Sequence, residues 1–514
     1  MVEARRRRPV MKLSRLWQDA DFAILAALAL IAVLLHTLTN GQYGFHRDEL
    51  ATLDDARYLA WGYVAYPPVT PFIARVALEL FGPSLAGVRF FAALAQGAAL
   101  VLTGMMARQL GGGRAAQIIA ALAVAVAPVS LAASALFQYV SFDYLWWVAI
   151  AYSIVRLLKS EDPRWWLAVG AAIGLGMMTK YTIVFLVAGA IAGVLLTPAR
   201  RYLRSPWLWC GVALSLAVFL PNFIWQARHG FVSLDFLSHI HARDVRIGRT
   251  RNFLIDQLLI AANPFTVLLW VAGLFYFLVA RDGKRYRPIG WMFVVPLALF
   301  VIAKGRGYYM APAYPMLLAA GAVLEERMVA SLTAGWSRLL RGHTCGALAL
   351  GGVLAIAVVL PIAPVNSSWW KVANRVNEDF REEIGWPELV ETIAGIRASL
   401  PAEERAHVGI LAGNYGEAGA IDLYGPAHGL PKAISGVNSY WARGYGDPLP
   451  QTLIVIGLSR EFLERNFESC VLAGHVVNRY GVQNEETTRH PDLFVCRGLR
   501  QPWPAFWKEF RYYG

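Results

Sequence analysis

Eleven stretches of this chain are apolar and long enough, at 1.5 Å of rise per residue, to be read as helices that cross a lipid bilayer. They lie at roughly 22–38, 86–107, 115–133, 144–158, 165–179, 181–197, 206–224, 256–280, 289–303, 310–324 and 345–364. Inside a bilayer each segment must satisfy its own backbone hydrogen bonds, so runs of this kind leave a helical bundle as the architecture. The rest of the composition agrees: 57% of the 514 residues are hydrophobic, only 16% are charged, and the mean hydropathy is +0.43. The chain reads as a polytopic α-helical membrane protein. Its formal charge of +13 does not point to nucleic acid, because no nucleic-acid motif is present and the basic residues cluster between the apolar runs. That distribution is the one expected of membrane topology and contact with anionic lipid.

Arg5–Arg8, Lys12 and Arg15 precede the first run, and no small-residue cleavage pattern follows it, so the run reads as an uncleaved first helix with a cytoplasmic N-terminus. Alternation then puts loops 108–114, 159–164, 200–204, 281–287 and 325–343 inside, and these carry most of the loop lysines and arginines. Segments 39–85, 134–143, 225–255 and 304–309 fall outside. With an odd number of spans the tail falls outside too. The chain thus divides into a membrane domain, 1–365, with juxtamembrane helices in its first outer loop at 39–85, and an extracytoplasmic α/β domain, 366–514. Segments 407–413 and 452–457 read as buried strands of that domain, with helices near 387–400 and 459–467. The four cysteines lack metal-ligand spacing. Cys470 and Cys496 share the tail, where a bridge and two separate thiols are both open readings.

The residues that carry chemistry gather on the outer side. In His46-Arg47-Asp48-Glu49 an acidic pair sits where the chain leaves the first run. A carboxylate held at a lipid–water boundary suits base catalysis, and Asp48 also suits capping of the helix that starts there. Asp143 heads the fourth run, as a cap or as a second acid beside Asp48. Lys180 sits in a turn between two short runs, placed to snorkel or to pair with a phosphate. Lys304-Gly305-Arg306-Gly307-Tyr308-Tyr309 joins two cations, two glycines and two tyrosines, a combination that suits close approach to a phosphate and stacking on a sugar. The outer loop with Arg228, His229, His239, His241, Arg243, Arg246, Arg249 and Arg251 breaks the charge rule, as an anion-binding segment or a solvated loop. The glycine-rich segment 413–419 is not a nucleotide motif; a loop near the active face fits it.

Together these residues resemble the GT-C class of membrane glycosyltransferases. The nearest likeness is to bacterial family 39-like enzymes, a group that includes protein O-mannosyltransferases and the transferases that place aminoarabinose on lipid A. The resemblance rests on Asp48-Glu49, Ala56-Arg57-Tyr58-Leu59 with Pro67-Pro68, Asp143, Thr179-Lys180, Pro221-Asn222 with Trp225, and Lys304 with Tyr308-Tyr309 and Tyr314-Pro315. It implies an inverting hexosyl- or pentosyltransferase of the bacterial cytoplasmic membrane, acting in the cell envelope. The donor would be a sugar on a polyprenyl phosphate, and the acceptor a lipid, glycan or protein. Asp48 would be the catalytic base, with Glu49 beside it. Asp143, Lys180, Lys304, Arg306, Tyr308, Tyr309, His46, Arg57 and Tyr66 would contact substrate. Several relatives carry a lysine where this chain has Tyr66, immediately before the double proline. No cofactor is expected; a divalent cation between the carboxylates lacks a ligand set of adequate number. Two other classes remain: a transporter or flippase of a polyprenyl-linked sugar, and a sensor whose tail is the working part. Ion-coupled transport calls for ionisable residues at mid-bilayer, and these runs are almost free of them.

Overall fold

The computed structural model describes residues 10–514, with side chains from Ala20 onward. The basic cluster that orients the N-terminus therefore lies outside the described residues. Every apolar run is helical, but the runs are not eleven equal crossings. The first eleven helices are α1 (Val10–Thr39), α2 (Arg47–Asp55), α3 (Val69–Phe81), α4 (Leu85–Gln109), α5 (Arg114–Ala125), α6 (Pro128–Ala135), α7 (Tyr139–Ser160), α8 (Trp165–Met177), α9 (Ile183–Leu195), α10 (Pro206–Arg228) and α11 (Val232–Arg246). Helices Val267–Leu278, Arg287–Ile302, Tyr314–Ser331 and Ala334–Val359 complete the bundle. Six helices among the described residues are long and apolar enough to span a membrane, or up to nine if each bent pair counts once.

Proline accounts for three of the five runs that are not simple spans; of the other two, 165–179 is the short helix Trp165–Met177, and 310–324 begins in a 3-10 turn and ends in a helix that carries Glu325, Glu326 and Arg327. The run 115–133 breaks before Pro128 with a 63° bend, the run 181–197 turns by 100° into a short helix that begins at Pro198, and the run 256–280 turns by 86° at Pro264. A proline has no N–H to give to the preceding turn, so it starts a new helix in place of extending the old one. Where helices do pack, small residues let their backbones meet. A Cβ at Gly273 would stand 1.9 Å from the Leu317 carbonyl oxygen, and one at Gly321 1.8 Å from that of Leu269, so helices Val267–Leu278 and Tyr314–Ser331 cross backbone to backbone.

The basic loops assemble at one end of the bundle. Glu161 accepts hydrogen bonds from Arg285 at 2.6 Å and pairs with Arg201 at 3.1 Å, Arg327 pairs with Asp282 at 3.2 Å, and Glu326 accepts the Gly113 N–H at 2.6 Å. Segments 108–114, 159–164, 200–204 and 281–287 thus share an end, as alternation from the sequence requires. The first loop, Gln138, Lys180, α11 and segment 304–309 converge elsewhere, around a single cavity to which the C-terminal region contributes.

That region holds a five-stranded sheet in the order β2-β1-β3-β5-β4, built from β1 (Val408–Ala412), β2 (Ala433–Ile434), β3 (Thr452–Ile456), β4 (Phe467–His475) and β5 (Asp492–Leu499). β1 runs parallel to β2 and β3, while β5 is antiparallel to β3 and β4. All five residues of β1 and of β3 are buried, in keeping with their continuous apolar runs. Cys470 lies opposite Cys496 in the β4–β5 ladder and is bonded to it, which decides between the two readings left open by the sequence. Cys210 and Cys345 are free. A helix at Tyr415–Tyr424, directly after β1, packs along α2 and joins the sheet to the membrane body.

Candidate active site

The acidic pair at the head of α2 is divided by helical geometry. Residues 48, 51, 52 and 55 recur at helical spacing and line the cavity, whereas Glu49, Leu50 and Leu53 face inward and are buried. The helix cap is made by His46 and Glu49 and not by Asp48: the His46 ring accepts the Asp48 N–H at 3.2 Å, and the Glu49 carboxylate accepts the His46 N–H at 2.8 Å. Asp48 is left to present its carboxylate to the cavity. Its Oδ1 accepts the Tyr415 hydroxyl at 2.9 Å and its Oδ2 the Gln138 amide at 3.1 Å.

Glu49, read from sequence as a catalytic residue beside Asp48, lies behind that surface. Its Oε1 accepts Arg89 Nε at 2.8 Å and the Phe137 N–H at 2.8 Å, and its Oε2 accepts a second Arg89 nitrogen at 2.7 Å. Glu383, from the C-terminal region, completes the group at 3.2 Å from Arg89. Both Arg89 and Glu49 are fully buried, so each must be paired, and this fork provides the pairing. Here Glu49 is a counter-ion that fixes α2 to α4.

The cations come from separate segments. Lys180 is buried with its Nζ 3.7 Å from Asp143 Oδ2 and 4.5, 5.2 and 5.3 Å from the ring centres of Tyr309, Tyr308 and Tyr139. It does not snorkel; the rings and the carboxylate hold its charge in place. Asp143 acts as its partner and also accepts Trp147 Nε1 at 3.2 Å. Arg306 donates from Nε to Asp244 Oδ2 at 2.6 Å, and Asp244 comes from α11, within the segment read as a basic outer loop. Lys304, Arg306, Lys180, Tyr309 and Asp48 all line the one cavity, of about 680 Å³. Tyr66 lines it as well, donating its hydroxyl to Asp55 at 2.7 Å.

Four expected contacts lie off the cavity lining, Asp143 being the partner of Lys180. His46 is occupied with capping, Arg57 donates to the Asp422 carbonyl oxygen at 2.7 Å, and Tyr308 stands behind Tyr309 with its ring toward Lys180. Conversely, Asp55, Gln138, Asp244 and Tyr415 take part without having been assigned roles from the sequence. Asp55 was legible, since seven residues from Asp48 is two helical turns on one face. Burial pushes its carboxyl up to about 7, against the hydrogen bonds from Tyr66 and Ser439. Tyr415 lies in the glycine-rich segment 413–419, which the sequence places near the active face without singling out the tyrosine.

The cavity has two chemical characters. Asp48, the cations and Tyr415 form its polar lining, and Val184, Phe185, Phe219, Phe223, Leu234 and Leu237 form its apolar wall. A molecule that fills both has a charged head and a long apolar tail. Among the described residues, no group of three or more His, Cys, Asp and Glu side chains is placed to hold a metal ion.

Residues 65–225 match the family described as dolichyl-phosphate-mannose-protein mannosyltransferase. A lipid A galacturonosyltransferase, RgtD, of Rhizobium johnstonii is 24% identical over 279 residues, 51% of this chain and 58% of the relative. An undecaprenyl phosphate-α-4-amino-4-deoxy-L-arabinose arabinosyl transferase of Pseudomonas fluorescens is 28% identical over 329 residues, 59% of this chain and 57% of the relative. The chain thus matches less than two thirds of either relative's length. Two crystal structures of ArnT from Cupriavidus metallidurans, in the apo state and bound to undecaprenyl phosphate, superpose with TM-scores of 0.54 and 0.52 at 16% identity, covering 92% of this chain and 97% of theirs.

Proposed function

We propose that this chain, a GT-C type membrane protein of the ArnT kind by its fold and its partial sequence matches, is an inverting glycosyltransferase. It moves one hexosyl or pentosyl unit from a polyprenyl phosphate to a hydroxyl of a lipid, glycan or protein acceptor. The observation that carries this reading is that one cavity is lined by Asp48, by Arg306, Lys180 and Lys304, and by an apolar wall. The isoprenoid tail lies along that wall, its phosphate meets the cations, and the sugar between them faces Asp48.

In the reaction the acceptor oxygen attacks the anomeric carbon from the face opposite the phosphate. The bond from that carbon to the phosphate oxygen breaks, its electron pair stays with the phosphate, and the acceptor proton passes to Asp48. The leaving phosphate gains charge as the bond breaks, and Arg306, whose guanidinium is already oriented by Asp244, is placed to offset it. We place the protein in the bacterial cytoplasmic membrane with the cavity and C-terminal region outside. The Cys470–Cys496 bridge supports that side, since such bonds persist in oxidising compartments.

The test uses the purified chain with undecaprenyl phosphate bearing an aminopentose, a hexuronic acid or a neutral hexose, together with an envelope extract as acceptor source. Wild type should consume at least one donor, and Asp48→Asn should lower turnover by about 10²-fold or more. Full turnover in the variant refutes the base role. Binding of undecaprenyl phosphate with no donor consumed favours transport over transfer.

A further inference from the structure

Asp48 is gripped from a part of the chain 367 residues away. The Tyr415 hydroxyl donates to its Oδ1 at 2.9 Å, while Gln138, at the entrance to α7, donates to its Oδ2 at 3.1 Å. Each carboxylate oxygen keeps a further lone pair, so the two bonds fix the plane of the group and leave both oxygens able to accept from an incoming hydroxyl. Donors to a carboxylate also favour its charged form, the form a base must have before it takes a proton.

The placement of Tyr415 is built into the C-terminal region. Tyr415 is the first residue of the Tyr415–Tyr424 helix. Asn414 caps that helix, and the Glu417 carboxylate accepts the Gly413 and Asn414 N–H groups at 3.0 and 3.1 Å. The Tyr512 hydroxyl donates to the Gly413 carbonyl oxygen, holding the same turn from the far end of the chain. Gly416 and Gly419, three residues apart and so on one helix face, let this helix lie directly on α2. A Cβ at Gly416 would come 2.8 Å from Arg47 Cβ and from the Trp386 ring, and one at Gly419 2.8 Å from the Leu50 carbonyl carbon and Cβ. Any larger residue there pushes the helix, and Tyr415 with it, away from Asp48.

We infer that Tyr415 is a positioning residue, and that through it the C-terminal region completes the active site of the membrane domain. The inference rests on Asp48 as the base. Docking of the Tyr415–Tyr424 helix on α2 adds a donor to one oxygen of Asp48, whose other is held by Gln138.

Three chains should be compared in the donor-consumption assay: Tyr415→Phe, Gly419→Ala and Asp48→Asn. Tyr415→Phe keeps the ring and its packing and removes only the hydroxyl. It should lower kcat about tenfold and leave KM for the donor and the Kd for undecaprenyl phosphate unchanged. Gly419→Ala should lower kcat similarly although the tyrosine is present. Wild-type kcat in Tyr415→Phe, with Asp48→Asn inactive, would overturn the inference while leaving the base reading intact. A parallel loss of undecaprenyl phosphate binding would also overturn it, since Tyr415 would then be shaping the donor pocket. Full turnover by Asp48→Asn would remove both.

Discussion

Two adjacent acids, Asp48 and Glu49, have opposite fates because consecutive helical residues point about 100° apart. One meets the cavity and the other meets Arg89 in the interior. Their adjacency made them read as a pair, and only the position of α4 separates them. The Arg89 fork is the more fragile of the two arrangements. Arg89→Met should leave Glu49 and Glu383 buried without their cation and cost about 3–5 kcal/mol, seen as a clear fall in the thermal midpoint of the detergent-purified protein. Glu49→Gln, which keeps an acceptor toward Arg89, should cost less. Similar divisions run through the cations. Lys180 and Arg306 reach the cavity, but each is held by an acid, Asp143 or Asp244, that comes from a distant segment.

At the level of elements, α2 and the Tyr415–Tyr424 helix act as one unit, and its strength depends on pH. Burial, with Glu486 close by, pushes the Glu417 carboxyl up to about 8. The folded state then holds a proton that the unfolded chain releases near its ordinary value of 4.5, so the contribution of Glu417 is full below that pH and is lost as pH rises through about 8. The thermal midpoint should accordingly fall between pH 5 and pH 9, and Glu417→Gln, which cannot ionise, should flatten the fall. The segment 225–255 also changes character at this scale. Its string of arginines and histidines suggested a loop, whereas it folds largely as α11, whose apolar side, with Leu234 and Leu237, lines the cavity and whose Asp244 orients Arg306.

Across the whole molecule, the basic loops gather at one end, and the sheet-bearing region contributes Tyr415 and Tyr440 to the cavity lining. In a Cys210→Ser, Cys345→Ser background, a cysteine at Lys284 and one at Glu403 should therefore react with a membrane-impermeant maleimide from opposite sides of the membrane. Labelling of both from one side would contradict the arrangement. The sequence by itself determined the helical membrane body, the strands at 408–412 and 452–456, the basic end and the segments that hold the chemistry, because apolar period, charge bias and local motif are short-range properties. Tertiary structure alone decided which acid faces the cavity and that Tyr415 meets Asp48. Those outcomes depend on close packing between segments 40 to 367 residues apart, and no local pattern records it.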